Sequence, residues 1–147
     1  MNSNDKFKNL NFTKELDVAH NFFVNNLFDV ENINSQNIIA QKKGSNLFIL
    51  KYIDFYFINY TKTITINSIE DFHINSMIKA NSSFKLPKAL RLSIPNINSV
   101  FITDEVVSKE VVDYVSKRRK SILGGLQESI FIIANSFATS AIIILPP

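Results

Sequence analysis

The sequence predicts one domain of mixed helix and strand, α/β or α+β in class, built on a mixed β-sheet. An N-terminal helix and an antiparallel meander come first, and a C-terminal strand–helix–strand unit and a hairpin follow. Three observations carry this. Apolar residues recur at spacings of three and four over 13–28, residues 47–60 are dense in aromatic and β-branched types, and 99–146 runs apolar, amphipathic, apolar. A chain of 147 residues suits a single core. Hydrophobic residues at 46% and charged residues at 20% fit a globular chain. With only 3 Gly and 4 Pro, regular elements joined by short polar turns are expected. Residues 1–12 read as a flexible polar tail and 13–147 as one globular domain, with no internal repeat and no linker.

The elements follow in order. Thr13 can cap a helix over 13–28, whose inward stripe is Leu16, Ala19, Phe23 and Leu27. Asp29 to Ser35 reads as a polar linker. Asn37 to Gln41 reads as a short strand, with Lys42, Lys43, Gly44 and Ser45 as a hairpin turn because Gly tolerates positive φ. Leu47 to Tyr60 reads as two strands broken near Asp54, and Thr63 to Asn67 as a half-buried strand. Ser68 can cap a helix over about 69–80 that turns Ile69, Phe72, Met77 and Ala80 inward. Residues 81–97 read as irregular, with a short helical turn opened by Pro87. Val100 to Ile102 is a buried strand, and Asp104 or Ser108 caps a helix running to about Lys120 with a stripe of Val107, Val111, Tyr114 and Val115. Gly124 and Gly125 stop that helix. Ile130 to Ala134 is the parallel partner strand, and Ala141 to Leu145 closes a hairpin with it.

The chain has no cysteine, so disulfides, thiolate metal sites and Cys nucleophiles are excluded. The polar stretch from Met1 to Phe12 is no secretory signal, and a cytoplasmic protein is expected. The net charge of +3 is a mild excess, so the distribution of charge matters more than its total. Ser129 to Pro147 carries no charge. Two short Ile-rich runs around Asn135, Ser136, Thr139 and Ser140 describe a hairpin rather than a membrane helix, which needs about 20 mostly apolar residues.

Four features could carry chemistry. Lys117, Arg118, Arg119 and Lys120 form the dense basic cluster and are the candidate nucleic-acid or anion contact, although cations also suit a helix C-terminus. Ser121 to Gly125 resembles a phosphate loop in composition. Its glycines follow a helix instead of preceding one, so a turn is expected. His20 and His73 lack ligands at metal spacing and read as surface or boundary histidines. Phe55, Tyr56, Phe57 and Tyr60 make a strand apolar on both faces. That strand must be covered on both, by helices of its own chain or by a second copy, and the four residues are the candidate interface.

No nucleophile–base pair, ligand set or phosphate loop is legible, and neither catalytic residues nor a cofactor is expected. The function expected is a non-catalytic protein-interaction module whose partner is another protein or a second copy of itself. The alternative is a nucleic-acid-binding protein. A helix carrying Glu15, a β-meander and a second helix resemble in order the restriction-endonuclease-like nucleases. That resemblance implies an acid on one strand and Glu-x-Lys on the next, holding a metal and activating water. Asp54 would stand for the first acid and Lys62 for the lysine, whereas Tyr60 occupies the glutamate position, which makes any such relative a degenerate one.

Overall fold

A computed structural model describes residues 13–46, 50–84, 93–117, 120–122, 126–136 and 139–143. Among these residues three helices and seven strands form a mixed sheet with helices on both faces. The expected mixed fold is the one observed.

Helix α1 spans Lys14–Asn25. The Thr13 hydroxyl accepts the amide of Leu16 at 3.4 Å, as its position before the apolar stripe predicts. The helix stops three residues before the expected end. Asn26 caps it, and Leu27 adopts φ 63, so the chain reverses there. The amide of Leu27 donates to the Val24 carbonyl and that of Phe28 to the Phe23 carbonyl, the bonding pattern of a Schellman terminus.

Strand β1, Asp29–Asn34, replaces the expected polar linker. It is an edge strand, and edge strands carry charge and polarity that a central strand would not. Strand β2 spans Asn37–Asn46 and β3 spans Leu50–Tyr60, antiparallel to each other. The expected turn at Lys42–Ser45 is therefore strand. Gly44 is needed for a different reason. It lies opposite Tyr52, and a Cβ on it would collide with the Tyr52 ring. Its lack of a side chain lets that ring lie across the strand. Strand β3 also runs unbroken through Asp54, whose carboxylate accepts the Asn96 side-chain amide at 2.7 Å.

Helix α2 spans Ile66–Ser82, so the expected strand at 63–67 is not a strand: 63–65 lead into the helix and 66–67 open it. Thr65 is the cap, and Ser68 is its partner three residues on. Each side chain accepts the other's backbone amide, at 3.1 and 3.0 Å. The threonine alternation that suggested a strand is a capping box. Residues 85–92, where a turn after Pro87 was expected, lie outside the described residues.

Strand β4, Ser93–Thr103, begins seven residues before the expected strand and passes through Pro95 and Asn96. Helix α3 spans Lys109–Lys117, with the Ser108 hydroxyl accepting the amide of Val111 at 3.3 Å. Strand β5, Lys120–Ile122, follows, then β6, Leu126–Ser136, and β7, Thr139–Ile143. Strands β4 and β6 are parallel, as the strand–helix–strand pattern requires, and β7 returns antiparallel on β6. The order across the sheet is β1-β2-β3-β4-β6, with β5 and β7 both on the far edge of β6.

Alternation along the strands divides the core between the two faces. Leu16 and Phe23 of α1 pack on Ile38, Ala40, Ile58, Tyr60, Val100 and Ile102. The other face meets α2 and α3. Ile69, Val111 and Val115 cover Phe101 and Ile132, and Ala80 covers Phe55 and Ile97. Phe72 sets its ring edge-on to Phe101, with centroids 5.1 Å apart.

Candidate functional site

Helix α1 buries one stripe and leaves another apolar. Leu16 and Phe23 are buried, whereas Val18 is 64% exposed, Phe22 59%, Val24 46% and Leu27 82%. Val18 and Phe22 are one turn apart and share a face. Val24, two residues on, lies on the other flank of the buried stripe from Phe22, and Leu27 stands exposed just past the cap. The expected inward stripe placed Leu27 in the core. The Schellman reversal sends it out to solvent instead.

Leu27 holds two unfavourable states together. A left-handed backbone costs an L-residue with a bulky side chain about 1–2 kcal/mol relative to glycine, and an exposed leucine gains nothing from burial. The reversal itself is fixed by Phe28, whose ring packs edge-on to Phe23 at 5.1 Å and to Tyr56 at 5.6 Å. Leu27→Gly should accordingly raise stability by about 1 kcal/mol. Urea unfolding of the two proteins measures this, and a loss of stability would show that Leu27 packs in the monomer.

The aromatic residues of β3 lie at the centre of the sheet. Phe55 is 2% exposed, Phe57 4% and Tyr60 9%, and helices of the same chain cover them. The account of a central strand with helices on both sides describes this fold, so these three side chains have too little exposed surface to form a dimer interface. Tyr56 is half-buried against the rings of Phe23 and Phe28. Burial first, and then the nearby Asp54, raises its phenol pKa above 10.0.

The residues set against the nuclease pattern do not converge. Asp54 and Tyr60 are six residues apart on one straight strand, a separation of about 20 Å. Asp54 faces Lys42 and Asn96 across neighbouring strands. Tyr60 sits at the opposite end, where its hydroxyl donates to Asp104. That hydrogen bond, with desolvation and the charges of Asp104 and Glu15, holds the Tyr60 pKa up at about 12. Lys62 is exposed beyond the strand end. No group of three metal-ligating side chains occurs among the described residues.

The Tyr60 shift has a signed consequence. The neutral phenol is favoured in the folded state, so its contribution to stability is intact below pH 10. It is lost as pH rises from 10 towards about 12. Asp104→Asn removes the charged acceptor and should bring the phenol back towards its ordinary value. Ultraviolet difference titration reads this directly, and an unchanged midpoint would mean that the carboxylate does not set the shift.

His73 is the largest departure from expectation. It is 0% exposed, on the inner face of α2, and not at the surface or boundary. Its Nδ1 lies 2.7 Å from the Ser99 hydroxyl and its Nε2 lies 3.2 Å from Glu128 Oε2. A neutral ring protonated on Nε2 satisfies both neighbours. Serine, histidine and glutamate in line have the makeup of a nucleophilic triad, but Ser99 is also 0% exposed and lies mid-strand in β4. No substrate reaches a hydroxyl packed between a helix and a sheet, so this set ties α2 to β4 and β6. Sequence spacing hides it, because its members stand 26 and 55 residues from His73.

The basic cluster is divided between elements. Lys117 closes α3, exposed, and Lys120 opens β5, while residues 118 and 119 lie outside the described residues. The four residues therefore do not form the last turn of one helix, and α3 ends before Gly124 and Gly125.

Comparison with protein-family models, with curated proteins and with solved structures gave no match. Among the described residues no helix is long and apolar enough to cross a membrane.

Proposed function

We propose that this protein is a non-catalytic interaction module that engages a protein partner, a second copy among them, through the outer face of α1. The observation that carries this reading is Leu27, an apolar side chain 82% exposed on a backbone at φ 63 that glycine would relieve. Strained positions persist where something other than monomer stability keeps them. Phe22 and Val18 extend the same apolar surface along the helix, and exposed apolar surface is the mark of a contact site. The aromatic strand that first suggested an interface supports the module differently. With its side chains largely buried on both faces, it provides a rigid base for α1.

The test compares wild type with Phe22→Ser/Leu27→Gly. Light scattering across a concentration series should show wild type rising from monomer towards dimer mass, and the variant staying monomeric at unchanged or higher stability. A wild-type monomer up to high micromolar concentration removes the second copy as partner. A photo-crosslinking amino acid at position 22 in cells should then give a discrete adduct with another protein, and no adduct in either format overturns the module.

A further inference from the structure

We propose that the protein carries a second binding site, for an organic ammonium group on a short apolar stem, in a cleft on the face of the sheet opposite α1. Helix α2 covers β3 and β4 but leaves open the strip of sheet between itself and the edge strand β1. That strip is a cleft of about 170 Å³. Two successive rows of the sheet make its base. One runs Asp29, Gln41, Phe55 and the next Glu31, Ile39, Phe57, each set in register across β1, β2 and β3. Ile39, Phe55 and Phe57 form the floor and are all under a tenth exposed, so the bottom is apolar and closed.

The rim is predominantly negative. Asp29 and Glu31 stand on the β1 side. On the other side is the last turn of α2 with Ser83, and a helix C-terminus carries the negative end of its dipole. Lys79 is the one cation lining the cleft. Its ammonium reaches Glu31 only at 3.9 Å, with both side chains about half exposed or more, a contact of little strength. Two carboxylates and a helix end against one loosely held lysine leave the site short of positive charge. Its volume matches roughly five or six waters of liquid, room for the five heavy atoms of a butylammonium ion. The apolar floor takes the stem and the rim takes the charge. A free alkylamine and a lysine side chain of a peptide present that same chemistry. The site is independent of the α1 surface, so either can fail alone.

Titration of the full chain with n-butylammonium chloride, followed by two-dimensional amide NMR, tests this. Saturable shifts are expected at Asp29, Glu31, Gln41 and Ser83, with a dissociation constant on the order of 1–10 mM for so small a ligand. n-Butanol should bind more weakly and sodium butyrate should leave these amides unmoved. Asp29→Asn or Glu31→Gln should weaken binding about two- to five-fold, the range of an exposed ion pair, and Lys79→Met should tighten it by removing the competing cation. Acetyl-Gly-Lys-Gly-amide distinguishes the sources. Binding at least as tight as the amine assigns the site to basic peptides, and binding of the amine alone assigns it to small amines. Equal binding of butanol and butylammonium, shifts confined to other residues, or a Lys79→Met variant that binds no tighter would overturn the proposal.

Discussion

Val111→Asp is expected to cost about 4 kcal/mol or more, a large share of the roughly 5–15 kcal/mol that holds a domain of this size together. Val111 is 3% exposed and packs with Ile69, Phe101, Val115 and Ile132, all of them apolar. The substitution removes a buried valine, worth about 1.5–3 kcal/mol, and places a carboxylate where it finds no donor. The damage would spread. Helix α3 has nine residues, and a helix that short does not persist in water without tertiary packing. It forms the crossover between β4 and β6, so its detachment uncovers Phe101 and Ile132 in the middle of the sheet. Urea unfolding measures the change. Glu110→Ala, one position away on the exposed side, should shift stability by less than about 0.5 kcal/mol and serves as the control. If Val111→Asp unfolded at the same urea concentration as wild type, the inward face assigned to α3 would be wrong.

Where the sequence was legible, one physical signal dominated. The C-terminal unit was readable because strands buried on both faces are continuous apolar runs, and the helix between them shows its stripe at helical spacing. Helix α1 was readable from Leu16, Ala19 and Phe23. Its end was not, because no glycine marks the reversal and Leu27 occupies the left-handed position. Strand β1 was hidden because an edge strand needs little apolar character. Val30 alone of its side chains joins the α1-side core. Gly44 misled because a strand glycine that admits an aromatic ring looks the same, in one dimension, as a turn glycine. Thr65 and Ser68 misled because a capping box and an alternating strand both place hydroxyl residues at short intervals.

The sites were less legible than the fold, and for a different reason. A binding surface on a helix is read by exposure, and exposure is known only once the buried side is fixed. Phe22 and Phe23 are neighbours of the same type, yet one is 59% and the other 7% exposed. The cleft beside α2 depends on the register of three strands, which brings Asp29 and Glu31 beside Lys79 from nearly fifty residues away. The buried set around His73 has the same character. A histidine following two acids along the chain looks solvated, until the helix places it against β4 and β6.

Removing His73 alone should be among the most damaging changes in the molecule, and removing its acidic partner with it should be far milder. Glu128 is a carboxylate whose side chain is 5% exposed, and His73 Nε2 at 3.2 Å is the partner of its Oε2. Its Oε1 is buried with no hydrogen-bond partner. His73→Leu preserves most of the volume and takes away that partner. Leaving a buried carboxyl without its hydrogen-bond partner costs about 3 kcal/mol, because the group stays desolvated with nothing to bond. His73→Leu/Glu128→Leu removes both ends. Apolar residues of similar size then fill the space, and the loss that remains is chiefly the Ser99 hydroxyl, worth about 1 kcal/mol. The double variant is therefore expected within about 2 kcal/mol of wild type. The thermodynamic cycle gives a coupling energy of opposite sign to the His73→Leu loss, and urea unfolding of wild type, both single variants and the double supplies it. If the double variant were as unstable as the sum of its singles, the two side chains would be acting separately, and the tie between α2 and β6 would have to come from packing alone.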